Sequence, residues 1–274
     1  RIHVSLLFLV NGFLIGNWAP KIPEFAERLL LDEGQLGVMI AVFGIGALLT
    51  MPVTGVAVAR FGPVPVVRLM APIAASTLLW ITLAPNHWLG ALALFIFGGS
   101  IAGMDVAMNA VAVEVERRRA NPIMSSCHGF WSLGGFVGAG TGGLLLERYG
   151  YMAHAGMVIA FAFAIALATV PFLIVEARPV AGQEGGARAR LPRNPMVYVT
   201  GLIALFCMLP EGAVLDWAAL YLRQEMGAGI AEASLAFTAF SGAMALMRFA
   251  GDRLRNRFGA VRTLRYSGIV ATVG

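Results

Sequence analysis

Long, nearly uncharged apolar runs dominate this chain, separated by short gaps that hold most of its charge. A helix crossing the hydrocarbon of a bilayer needs roughly 20 such residues. Runs of that order lie at 4–19, 34–59, 64–83, 88–113, 125–146, 152–175, 196–222 and 233–249, and a ninth begins near Thr263. Lipid cannot hydrogen-bond free backbone groups, so each run must close its hydrogen bonds internally as a helix. The alternating polarity of a barrel strand is absent. The expected fold class is therefore an all-α membrane protein. Composition agrees: 13% of the residues are charged, against about 25% in a soluble domain.

The net charge of +5 would suit a nucleic-acid partner, so the position of the basic residues decides. Threading the runs alternately through a bilayer puts Arg1, Arg60, Arg68, Arg117, Arg118, Arg119, Arg178, Arg188, Arg190, Arg193, Arg253, Arg255, Arg257, Arg262 and Arg265 on one side. The other side receives only Lys21, Arg28, Arg148 and Arg223, while Arg248 falls inside the eighth run. Cytoplasmic loops carry the excess of Arg and Lys, which makes the first side cytoplasmic. Topology thus explains the charge, and no nucleic acid is expected. The Gly- and Arg-rich stretch 176–195 reads as a cytoplasmic linker. Cys127 and Cys207 read as buried free thiols, and the scattered His and Cys form no metal site. No Walker-type glycine loop is present, so neither ATP nor another cofactor is expected to drive the chain. It begins without Met and stops inside an apolar run, so both ends read as cut.

The chain also repeats itself. Asn17-Trp18 in the first span is echoed by Asp216-Trp217 in the seventh, 199 residues on. Arg60-Phe61-Gly62 after the second span is echoed by Arg257-Phe258-Gly259 after the eighth, 197 residues on, and Arg68 and Arg265 share that offset. The expected domains are a six-span bundle over 1–175, the linker over 176–195 and a partial second bundle over 196–274. A complete second copy would end near twice the offset, about residue 394. Parallel repeats with a site between them at the midplane are a transporter architecture.

These residues resemble the major facilitator superfamily. The string Gly55-Val-Ala-Val-Ala59-Arg60-Phe61-Gly62 is similar to its loop motif G-x-L-x-D-R-x-G, with Ala59 in place of the Asp; Gly251-Asp252-Arg253-Leu-Arg-Asn256-Arg257-Phe258-Gly259 is a second copy with its Gly shifted by one. The resemblance implies twelve helices in the full protein, about eight and a half of them present here. It also implies that Gly55, Arg60, Gly62, Asp252, Arg253, Arg257 and Gly259 form conformational-gate loops. Asp105-Val-Ala-Met-Asn109, His128-Gly-Phe-Trp-Ser-Leu-Gly134 and Asp216-Trp-Ala-Ala-Leu-Tyr-Leu222 resemble more narrowly a bacterial inner-membrane subgroup that includes the rhizopine-transport protein MosC.

An ionisable group inside a span is a functional candidate, because placing it there costs at least roughly 2.5–3.5 kcal/mol on insertion scales. Asp105 lies midway along span four with Asn109 on the same helix face. It reads as a proton-coupling carboxyl, or as a structural acid bonded to a neighbouring helix. Glu211 and Asp216 in span seven are further coupling candidates, and Pro210 suggests a kink beside Glu211. Asn11 and Asn17 in span one are candidate substrate hydrogen-bonders or interhelical glue. Trp217 is a stacking face or an interfacial anchor. His128 is a candidate proton relay or a satisfied structural histidine. Arg248 is a counter-ion for an anionic solute if it faces the cavity, or a partner of Asp252 one turn on. The glycines from Gly134 to Gly143 look like the span-five motif associated with antiporters, and also suit close helix packing.

Together these features point to a secondary active transporter that moves a small polar solute by alternating access, coupled to protons. Spans one to seven contain acids and amides but no central Arg or Lys, which favours a neutral polyhydroxy or cationic solute. The expected partners are that solute, protons and lipid, with the chain acting as a monomer. A drug or metabolite efflux antiporter and a non-transporting sensor or scaffold on the same fold remain alternatives. An enzyme is not expected, since no catalytic constellation is present.

Overall fold

The computed structural model describes residues 1–119, 123–173 and 194–273. The described residues form nine α-helices and one 3-10 turn. The first helix, α1 (Ile2–Trp18), is followed after a 45° bend by α2 (Lys21–Arg28). Next come α3 (Glu33–Phe61), α4 (Pro63–Leu83), α5 (His87–Arg119) and α6 (Met124–Thr169), then the 3-10 turn Val170–Phe172. The remaining helices are α7 (Pro195–Gln224), α8 (Ile230–Phe258) and α9 (Ala260–Val273). Six of these helices are long and apolar enough to cross a membrane, and the bent pair α1–α2 can add a seventh.

The ends of the helices follow local chemistry. Asp32 caps α3 in a reciprocal pair: its Oδ1 accepts from Gln35 N at 2.8 Å while Gln35 Oε1 accepts from Asp32 N at 3.1 Å. Asn194 caps α7 ahead of Pro195, accepting from Met196 N at 3.0 Å. The two Arg-Phe-Gly strings make the same corner. Gly62 (φ 84°) ends α3 and leads into α4, and Gly259 (φ 82°) separates α8 from α9. A side chain would strain both positions. Each string also stacks its arginine on its phenylalanine, Arg60 on Phe61 at 5.2 Å and Arg257 on Phe258 at 5.5 Å.

The long helix α6 contains two of the expected spans. At Gly150 (φ 76°, ψ 171°) the backbone leaves the helix, and the two limbs run in opposite directions along α1. Along the first limb, Gly134, Gly138 and Gly142 lie against Leu9, Phe13 and Asn17 in turn. Along the second, His154, Phe161 and Phe172 meet Asn17, Phe13 and His3. The described residues of the eight expected runs are thus helical, save for the ends of the first and the sixth, the latter at the 3-10 turn, and α9 lies where the ninth begins. Hydropathy did not mark α2. This amphipathic helix buries Ile22, Phe25 and Ala26 while turning Glu27 outward.

The most extensive packing joins α1 to α6, α6 to α8, and α5 to both α3 and α4. The first limb of α6 is the central plank. Gly134 and Gly138 sit so close to α1 that a β-carbon would collide with backbone carbonyls of Leu9 and Phe13. Its other face meets α8, with Gly135 against Ser241 and Gly143 against Ser234. Small residues let helix backbones approach closely, which is how helices associate in lipid. The outward face of α3 carries exposed apolar side chains such as Leu48 and Val53, and the first half of α7, with Leu205 and Met208, is exposed all round. Cys127 is buried as expected, but Cys207 is exposed in that half of α7, which corrects the reading of both thiols as buried; both are free. Residues 176–193 of the expected linker lie outside the described residues.

Candidate functional site

Five helices contribute to one polar path through the apolar bundle. Its origin is Asn11 on α1, which is almost wholly buried. Asn11 Nδ2 donates to the carbonyl of Ile101 on α5 at 3.1 Å, and its Oδ1 accepts from Trp131 Nε1 on α6 at 2.9 Å. A buried amide used at both ends is held in one orientation, and it holds the indole in turn. The Arg248 guanidinium of α8 lies over that indole, 5.6 Å from the ring centroid. Arg248 Nη1 donates to Ser132 Oγ at 2.6 Å and to His128 O at 3.4 Å. Its Nη2 lies 3.7 Å from Glu211 Oε2 on α7. Ser125 Oγ donates to the Arg248 carbonyl at 2.9 Å, and Ser241 Oγ donates to Ser132 O at 2.8 Å.

This path crosses from the first repeat to the second. It links Asn11, Trp131 and Ser132 on one side to Arg248 and Glu211 on the other. Paired charges are far less costly inside an apolar bundle than isolated ones, so the Glu211 carboxylate and the Arg248 guanidinium make each other tolerable there. Both side chains keep some exposure, 21% for Glu211 and 29% for Arg248.

The other expected site residues are placed as follows. Asp105 is half-buried on α5, one helical turn beyond Ile101 and hence on the face that meets Asn11. No cation among the described residues lies within ion-pair distance of its carboxylate. Asn109 Nδ2 donates back to Asp105 O at 2.9 Å. Asp216 is half-buried on α7 and shares no ion pair with a described residue. Trp217 is 38% exposed and places its ring edge 4.0 Å from where a β-carbon on Gly37 of α3 would lie. The His128 ring packs edge-on against Phe8 at 5.1 Å, and its carbonyl rather than its ring serves Arg248. In the gate loops Gly55, Arg60, Arg253 and Arg257 are exposed. The Asp252 side chain lies outside the described residues.

Asn17 belongs to a different cluster at the far end of α1. Its Nδ2 donates to Phe13 O at 2.8 Å, and its Oδ1 lies 3.0 Å from His154 Nε2. Nearby, fully buried Lys21 pairs with Glu24 at 3.2 Å, and Arg28 pairs with the same carboxylate at 2.7 Å. Arg28 also donates to the carbonyls of Ala84 and Ile81 at 2.6 and 2.9 Å.

Sequence reasoning did not anticipate Trp131, Ser132 or His154, nor that the ion-pair partner of Arg248 is Glu211. The signal for Arg248 was there: an arginine inside an apolar run is a site candidate in its own right.

A family model described as Major Facilitator Superfamily matches residues 4–274. The uncharacterized transporter y4wD of Sinorhizobium fredii is 35% identical over 272 residues, which cover 99% of this chain and 72% of that protein. Membrane protein MosC of Rhizobium meliloti is 28% identical over 271 residues, covering 99% of this chain and 66% of MosC. Among solved structures, a crystal structure of a variant of the nucleoside transporter NupG superposes with a TM-score of 0.68 at 14% identity, over 94% of this chain and 68% of that one.

Proposed function

Because the chain belongs to the major facilitator superfamily, a family of transporters rather than enzymes, we propose that it is a secondary active transporter. It carries a small polar solute across the bacterial inner membrane by alternating access, coupled to protons and acting as a monomer. The observation that carries this reading is the path Ile101 O–Asn11–Trp131–Arg248–Glu211, the one place among the described residues where an ion pair belongs to a polar path joining α1, α5 and α6 to α7 and α8 inside the bundle. Helices that pack through glycine and serine can shift against each other with little loss of contact. A polar pair at such a seam has to reorganise when the repeats move.

In this reading residues 1–175 form the first bundle, 176–195 a cytoplasmic linker, and 196–274 belong to the second bundle. Asp105 faces the path without a cation of its own, which suits a carboxyl that loads and unloads a proton. Asn109 keeps its amide bound to the same helix and steadies that turn. Asp216 and Trp217 line the approach along α7, and the paired corners at Gly62 and Gly259 act as the gate loops.

The test uses the protein expressed from its complete reading frame and reconstituted into liposomes under an imposed pH gradient. A panel of polyols, amino-sugars, sugar acids and organic cations is added while internal pH is followed. Solute-dependent proton movement is expected in the wild type and is lost in Asp105→Asn, with the melting temperature kept. If no solute in the panel moves protons in the wild type, the proposal of proton-coupled transport fails.

A further inference from the structure

The two members of the Glu211–Arg248 pair are held very unequally. Arg248 is anchored by Ser132 Oγ at 2.6 Å and the face of Trp131, with the His128 carbonyl a longer contact at 3.4 Å. Trp131 is itself fixed through Asn11 to α5. The guanidinium position is therefore set from α8, α6, α1 and α5 together. Glu211 has a single described partner, at 3.7 Å, beyond the 2.7–3.2 Å or so of a formed N–H···O bond. It also follows Pro210, which removes one backbone hydrogen bond from the middle of α7 and softens the helix there.

A solute entering this site can break the pair in two ways. A cation would have to take Glu211 from Arg248 and leave the guanidinium on its seat beside Trp131 with no counter-charge among the described residues. An anion has only to replace a loosely held carboxylate, and it finds the arginine already oriented. The guanidinium fork binds a planar carboxylate through two parallel N–H···O bonds, a better contact than the one Glu211 makes. The pair is also open enough to be reached, as the partial exposure of both side chains shows.

We infer that Arg248 on its Trp131 seat is the anchor for a carboxylate carried by the solute, and that Glu211 is the resident stand-in which that carboxylate displaces. The inference rests on the transporter reading and narrows its solute to one bearing a carboxylate. The neutral or cationic solute expected from the Arg-free spans one to seven gives way because the arginine comes from span eight and still reaches the shared path.

The test needs neither the natural solute nor a gradient. The full protein in detergent is compared by thermal unfolding as wild type, Glu211→Ala and Arg248→Ala. Acetate is the anionic probe and methylguanidinium the cationic one, with sodium chloride at equal ionic strength as control. Glu211→Ala should melt below wild type. Acetate at about tenfold above its Kd should then raise its Tm by about 3 °C, saturably, because a ligand that binds only the folded state stabilises it. Wild type should gain much less, Arg248→Ala should gain nothing from acetate, and methylguanidinium should not stabilise wild type. Should Glu211→Ala fail to fold, Glu211→Gln, which keeps the side-chain volume, takes its place with acetate binding followed by calorimetry. Acetate stabilisation of Arg248→Ala as large as that of Glu211→Ala, saturable stabilisation of wild type by methylguanidinium, or no acetate effect on either Glu211 variant overturns the inference. If rescue by acetate succeeds while liposome transport fails, the anion seat stands and the transporter reading falls. If transport succeeds without rescue, the reverse holds.

Discussion

Two polar clusters share α1, one around Asn11 and one around Asn17, and both asparagines are buried. At the Asn17 end, Asn17 meets His154 at 3.0 Å, and in α2 nearby Glu24 pairs with Lys21 and Arg28 at 3.2 and 2.7 Å. That acid is shared by two cations, and one of those cations also holds two backbone carbonyls. The Asn11 cluster is tight only up to Arg248 and ends in a loose pair with Glu211, next to Pro210 inside α7. Polarity inside a membrane is thus not enough to mark a working site. The contact that marks one joins parts able to move apart and is under-held on one side. By that criterion the Asn17 cluster is a staple and the Asn11 cluster is the proposed site.

The sharpest way to break this contrast is to remove the shared acid of the staple. Glu24→Gln leaves Lys21 fully buried with no carboxylate. Uncompensating a buried pair in this way costs about 3–5 kcal/mol, read as a large fall in Tm in detergent. A loss below about 1 kcal/mol, the range of exposed ion pairs, would mean that the far cluster is no more structural than a surface pair.

A smaller effect is expected from Gly142→Ala. The added β-carbon would lie 2.7 Å from Asn17 Oδ1 and 3.3 Å from His154 Nε2, pressing on the hydrogen bond between them. Overpacking of this kind costs about 1–3 kcal/mol. Because the clash is with Asn17, the effects of Gly142→Ala and Asn17→Ala should not add in a double-mutant cycle. Additive losses in Tm would show that Gly142 presses on something other than the staple.

The fold was readable because a bilayer leaves a chain few options: each apolar run had to be a helix, and each is one. The likeness of the two Arg-Phe-Gly strings extends to their corners, whose glycines take nearly the same positive φ and whose arginines stack in the same way. The site was harder. The bond from Arg248 to Ser132 spans 116 residues and that from Trp131 to Asn11 spans 120. Which residues meet across such distances depends on how α6 sits between α1 and α8, and glycines set that register without advertising it. Cys207 was misread because hydropathy does not say how a helix packs: residues 194–210 of the structure are all exposed, whichever face of α7 they lie on. Asp105 and Asn11 could be named because an acid or amide in an apolar run stands out. Their partners could not: Trp131 and Ser132 stand inside the string His128–Gly134, but nothing in that string says which helix each one meets.

The smallest effect is expected at a contact that crosses the repeats at the outer end. Arg223 of α7 reaches Glu27 of α2 at 3.0 Å, with Glu27 62% exposed. If joining the repeats were sufficient to make a contact functional, Glu27→Gln would impair solute-dependent proton movement as strongly as changes at Glu211. We expect otherwise. An exposed pair of this kind contributes about 0.2–1 kcal/mol and is screened by salt, so nearly all of the Tm and the transport rate should survive, and the small remainder should vanish as ionic strength rises. The pair lacks what distinguishes Arg248 and Glu211, which is a fixed charge within the bundle facing a weakly held one. A large, salt-insensitive loss of transport in Glu27→Gln would move the decisive contact from the middle of the bundle to its outer end.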